Sequence, residues 1–116
     1  MKPTHELLAR IAERLKALAD PTRLKILHSL EEGELTVTEI LEQVGGSQAN
    51  VSKHLGLMRR VGVLESRREG VNVFYRVIDP AAFAVCRSVC DALERRADSE
   101  HKLLRRAVAA ARRIEA

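Results

Sequence analysis

Aromatic residues are almost missing from this sequence: of 116 positions only Phe74, Tyr75 and Phe83 carry a ring, and there is no tryptophan. A core without large rings must be filled by Leu, Val, Ile and Ala, and such a core favours helices. Cysteine is nearly as scarce. Cys86 and Cys90 are too few for a disulfide scaffold and are expected to stay reduced. No apolar run approaches the roughly 20 residues that span a bilayer, and the opening MKPTHELLAR lacks the apolar centre of a secretory signal. The expectation is therefore a cytoplasmic protein with no membrane partner. Linkers of low complexity and internal repeats are also lacking, so one domain covering 1–116 is expected.

What is present is the composition of a folded chain, 46% hydrophobic and 31% charged. A chain of this size buries a modest share of its surface alone, so a dimer would help it. Twenty Lys and Arg against 16 Asp and Glu leave a net charge of +4, which suits a polyanionic partner without requiring one. The placement is more telling, because Arg59, Arg60, Arg67 and Arg68 cluster in the middle of the chain.

Leu7, Leu8, Ile11, Leu15 and Leu18 recur at helical spacing and define a first helix from Thr4 to Leu18. Asp20-Pro21 caps a second helix, with Leu24, Ile26, Leu27 and Leu30 on its buried side. Thr36-Val37-Thr38-Glu39 has capping-box spacing and predicts a short third helix to about Val44. Gly45-Gly46 permits a tight turn, and Ser47 caps a fourth helix that runs to about Val61 before Gly62. The pattern then becomes β-rich, with Val63–Glu69 and Asn72–Ile78 forming a hairpin around Gly70-Val71. Asp79-Pro80 starts a fifth helix that reaches at least Arg96. Asp98-Ser99 is placed to interrupt it before an amphipathic segment, His101 to Ile114, and whether residues 99–116 continue the fifth helix stays open. The fold class is mainly α with a small β-hairpin (α+β).

A short helix, a tight turn and a longer helix form a helix-turn-helix, whose second helix enters the major groove of DNA by its amino-terminal residues. Those residues are Gln48, Ala49, Asn50, Ser52, Lys53 and His54, while Val51, Leu55 and Met58 fall on the opposite side. Gln and Asn pair with adenine, Ala touches a thymine methyl, and Lys reaches guanine or phosphate. Ser47 begins the helix, where a phosphate is favoured. Taken alone the stretch also reads as a solvated polar helix face. The basic hairpin, with Arg67, Arg68 and Asn72 near its tip, favours a grip on nucleic acid. Against an enzyme, there is no glycine-rich phosphate loop, no evident pair of acid/base carboxylates and no Ser/His/Asp set with catalytic spacing. A protein-interaction module would have lost the polar set that Gln48, Asn50, Ser52 and Lys53 retain.

The stretches LADPTRLKILHSL, QANVSKHLGLMRRVGVLESRREG and VFYRV resemble the ArsR/SmtB family of winged-helix repressors, over roughly residues 7 to 95 in the same order. The resemblance implies a winged helix-turn-helix with a recognition helix at about 48–61, a wing at about 63–78 and a dimerisation helix from about 80. It implies a homodimer joined by the first and last helices, bound to a double-stranded operator and released by a metal, metalloid or thiol-reactive signal. The implied DNA contacts are Ser47, Gln48, Asn50, Ser52, Lys53 and His54 on the helix, with Arg67 and Arg68 on the wing.

The family's sensing sites are largely absent. Thr36, Val37 and Thr38 stand where arsenic-sensing relatives have Cys-Val-Cys. Asp79 matches the first zinc ligand of zinc sensors, but Ala81, Ala92 and Arg95 occupy the others. His28 takes the second-helix cysteine position of persulfide sensors. Cys86 and Cys90 remain, four apart on one helix with Cβ atoms about 5–6 Å apart. They could hold a thiophilic ion such as arsenic(III), antimony(III), cadmium, lead or zinc with ligands from elsewhere. They could also respond to oxidation, or only pack, since Phe83, Cys86, Cys90, Leu93 and Ala97 form an apolar stripe. His28 reads as a core or interface histidine, His5 and His101 as terminal residues that a dimer could bring together. Arg105, Arg106, Arg112 and Arg113 read as the solvated face of a terminal helix.

Overall fold

A computed structural model describes residues 2–115, with side-chain exposure described through residue 112. The elements run α1 (His5–Leu18), α2 (Pro21–Ser29), β1 (Leu35–Thr36), α3 (Val37–Val44), α4 (Gln48–Arg60), β2 (Leu64–Glu69), β3 (Asn72–Val77) and α5 (Ala81–Glu115). The chain divides into two compact units, Met1–Ala82 and Phe83–Ala116.

In the first unit each helix begins where a side chain takes over an orphan backbone N–H. Thr4 accepts from Leu7, Asp20 from Arg23, Thr36 from Glu39 and Ser47 from Asn50. Pro21 sits in the first turn of α2, where no N–H is needed. The core is aliphatic, as the shortage of rings requires. Ile26 and Leu27 of α2, Ile40 of α3, Val51, Leu55 and Met58 of α4, and Val63 and Leu64 at the entry to the hairpin are at most 1% exposed. Each such side chain contributes about 1.5–3 kcal/mol when fully buried.

One element was not expected. Leu35 and Thr36 form β1, which pairs antiparallel with β3 and makes a three-stranded sheet of order β1-β3-β2. Two residues are too few for a period-of-two signal, so only the partner strand reveals it. Along the α1 surface, Leu7, Leu8, Ile11 and Leu15 remain 40–47% exposed.

In the second unit α5 continues to Glu115 without a break, so Asp98-Ser99 does not interrupt it. The pair costs the helix well under 1 kcal/mol per residue, and neither glycine nor proline occurs between Ala81 and Glu115. Arg96 also donates to Glu100 at 3.0 Å, one turn on, and this i,i+4 pair spans the expected break. Val89, Leu93, Leu103 and Leu104 are 55–64% exposed on this helix.

Candidate nucleic-acid interface

The helix-turn-helix is held together by local chemistry. Thr36 and Glu39 complete a reciprocal capping box at the start of α3: Glu39 N–H donates to Thr36 Oγ1 at 3.3 Å and Thr36 N–H to Glu39 Oε1 at 3.0 Å. Gly45 and Gly46 take φ of +79° and +84°, a left-handed pair that a side chain would strain. Ser47 Oγ then accepts from Asn50 N–H at 3.1 Å and α4 begins.

Helix α4 divides by side. Val51, Leu55 and Met58 are fully buried, whereas Gln48, Ala49, Asn50, Ser52 and Lys53 are exposed along its first two turns. His54, expected among the DNA contacts, is half-buried and its Nδ1 lies 3.3 Å from Arg23 Nη1. A guanidinium only donates, so this bond requires an unprotonated Nδ1. Arg23 also donates to the carbonyls of Ala17 at 2.8 Å and Lys16 at 2.9 Å, the last turn of α1. One side chain of α2 thus ties the end of α1 to the recognition helix. The Arg23 backbone N–H, with its guanidinium nearby, holds the Asp20 carboxyl below the usual carboxylate range. Sequence reasoning passed over Arg23; its place directly after the Asp-Pro-Thr cap was the only signal.

The wing is the β2–β3 hairpin, closed between Glu69 and Asn72 by Gly70, at φ +61°, and Val71. Its base is joined to α4, since Arg59 Nη1 donates to Ser66 Oγ at 3.3 Å. Arg67 and Arg68 are both exposed on β2, but Arg67 is engaged. Its Nε donates to Glu34 Oε2 at 2.9 Å, its Nη2 to Glu34 Oε1, and its Nη1 to Glu69 Oε2 at 2.8 Å. The Arg67 hydrogen bonds in turn hold the Glu34 carboxyl below its usual range. Arg68 and Lys53 have no ion pair among the described residues.

Other candidate positions have structural partners. Asp79 Oδ1 accepts from Ala81 N–H at 3.0 Å, and Oδ2 accepts from Arg14 at 2.6 Å, so this carboxylate caps α5 and pairs with α1. A cleft of about 420 Å³ lies between α2 and α3, lined by His28, Glu31, Glu32, Glu34 and Gln43 among others. Its three glutamates would repel a phosphate backbone. Cys86 is half-buried and Cys90 exposed, and burial pushes the Cys86 thiol up. Among the described residues no three His, Cys, Asp or Glu side chains are placed to hold a metal ion, and Cys86 and Cys90 by themselves supply two donors. No helix among the described residues is long and apolar enough to cross a membrane.

Comparison with known proteins agrees with this geometry. A helix-turn-helix domain family matches residues 18–67. The transcriptional regulator KmtR of Mycobacterium tuberculosis is 40% identical over 67 residues, 58% of this chain and 52% of that protein. The biofilm growth-associated repressor of Xylella fastidiosa is 39% identical over 72 residues, 62% of this chain and 63% of the relative. A probable mercury resistance operon repressor of Streptomyces lividans is 45% identical over 69 residues, 60% of this chain and 55% of that one. The chain thus spans between half and two thirds of the length of these curated relatives.

Solved structures match over more of their length. Rv0081 of M. tuberculosis superposes with a TM-score of 0.73 at 33% identity, covering 84% of this chain and 98% of that one. The homodimeric winged helix-turn-helix domain of Mb0332 from Mycobacterium bovis, described as a possible ArsR-family regulator, gives 0.66 at 35% identity over 74% and 82%. With the capped α3–turn–α4 unit, the hairpin wing and these relatives together, the chain belongs to the ArsR/SmtB family of winged helix-turn-helix transcriptional regulators.

Proposed function

We propose that this protein is a sequence-specific DNA-binding repressor that acts as a homodimer on an operator duplex. The observation that carries the reading is the two-sided character of α4: Val51, Leu55 and Met58 fix one side in the core, and Gln48, Asn50, Ser52 and Lys53 stand exposed on the other. Placed in a major groove, the amides of Gln48 and Asn50 read adenine edges, and Lys53 reaches guanine or phosphate. Ser47, Ser52 and the amino-terminal end of α4 meet backbone phosphate. Arg68 adds a wing contact. The exposed apolar residues of α1, Leu7, Leu8, Ile11 and Leu15, suit burial against a second copy, and the Mb0332 relative is homodimeric.

The test is binding to a duplex from the promoter upstream of its own reading frame, measured across a salt series. Wild type binds it more tightly than an unrelated duplex, and Lys53→Ala weakens binding and lowers the salt slope by about 1. Equal affinity for both duplexes sinks the reading.

For release from the operator, we infer a thiol-directed inducer acting at Cys86 and Cys90. The exposure of Cys90 supports access to it, and one relative is a probable mercury resistance operon repressor. The ions that suit two thiolates are arsenic(III), antimony(III), cadmium, lead and zinc, with the remaining donors supplied from outside this chain. The half-burial of Cys86 favours a second reading, in which the pair serves packing. A third is thiol oxidation.

A further inference from the structure

The wing carries two neighbouring arginines, and the fold gives them opposite surroundings. Arg67 pairs across the ladder with Phe74 and Arg68 with Val73. Side chains alternate along a strand, so the two guanidinium groups leave the sheet on opposite faces. Leu64 and Ser66 share the face of Arg68. Leu64 is buried in the core and Ser66 accepts from Arg59 of α4, so that face is turned toward the recognition helix.

Arg67 lies on the other face, and each of its three guanidinium nitrogens already donates to a carboxylate. Its guanidinium carbon sits 4.4 Å from the centre of the Phe74 ring. From there it crosses the central strand to Glu34, just before β1, with a fork-to-fork pair. Its remaining terminal nitrogen holds Glu69. One side chain on β2 therefore stacks on β3 and grips the residue that leads into β1. A phosphate approaching Arg67 would meet two carboxylates first and would have to displace a bidentate pair.

We propose that Glu34 and Arg67 are positioning residues that hold the wing on the body of the domain, and that Arg68 makes the wing's phosphate contact. This rests on the DNA-binding reading above.

Two measurements on the full chain test it: hydrogen exchange of the wing amides, residues 65–77, in the free protein, and promoter-duplex affinity across a salt series. The variants are Glu34→Ala, Arg67→Ala, their double and Arg68→Ala, with Glu32→Ala as a control for lost negative charge. Glu34→Ala and Arg67→Ala should each speed wing exchange and weaken duplex binding by about 3- to 10-fold, with a double variant no worse than the weaker single. Both should leave the salt slope in place, whereas Arg68→Ala lowers it by about 1. The proposal is overturned if wing exchange does not change, or if Arg67→Ala lowers the slope while Glu34→Ala tightens binding beyond Glu32→Ala. A wild-type protein that fails to distinguish its promoter duplex defeats the DNA reading itself, and wing exchange still decides whether Glu34 and Arg67 hold the hairpin.

Discussion

Cys86 and Cys90 are one helical turn apart and chemically alike, yet their surroundings differ. Half-burial disfavours the Cys86 thiolate, and the thiolate is the form that attacks electrophiles and binds soft ions. At neutral pH, iodoacetamide should label Cys90 several-fold faster than Cys86, read by peptide mass spectrometry. The inducer reading is checked with the same residues. Arsenite, antimonite, cadmium, lead or zinc that releases wild type from its operator should fail to release Cys86→Ser/Cys90→Ser. Normal release of that variant would leave the pair as packing alone. The same lesson of unequal neighbours holds for His54 beside Lys53: one is bound to Arg23 of α2, the other exposed.

At the scale of elements, α3 depends on its cap more than its length would suggest. A helix of 8 residues is too short to persist by propensity, so tertiary packing of Ile40 and the Thr36–Glu39 box must hold it. Thr36 also belongs to β1 and pairs with Phe74, which joins the helix start to the sheet. Thr36→Ala should cost about 1 kcal/mol, seen in the urea midpoint at unchanged m. Because α3 carries the turn into α4, operator affinity should fall with it. The caps were legible because each is a local pattern: Asp20-Pro21, Thr36 to Glu39, and Ser47 after two glycines. Strand β1 was not legible, since its two residues become a strand only by pairing with a segment about forty positions away.

For the whole molecule, the aliphatic core explains why so few rings suffice, and the exposed α1 residues mark what one copy leaves uncovered. Leu8 is 47% exposed and Leu15 45%, on a helix whose end Arg23 ties to α4. Leu8→Glu/Leu15→Glu should shift sedimentation equilibrium from dimer to monomer and weaken operator binding at least tenfold, since two half-sites then bind independently. A variant that stays dimeric would move the interface elsewhere.

Periodicity and capping chemistry in the sequence determined by themselves that a helix-turn-helix is followed by a basic hairpin, because both signals act within a few residues. They also determined which side of α4 is apolar, and hence which side is left free for the proposed DNA contacts. Only the tertiary structure decided between equals. It separated Arg67, tied to Glu34, from Arg68; turned His54 toward Arg23; gave Asp79 to Arg14; and carried α5 through Asp98-Ser99. The first three depend on charges brought together from distant parts of the chain, and a list of residues cannot show which partner a cation has already taken.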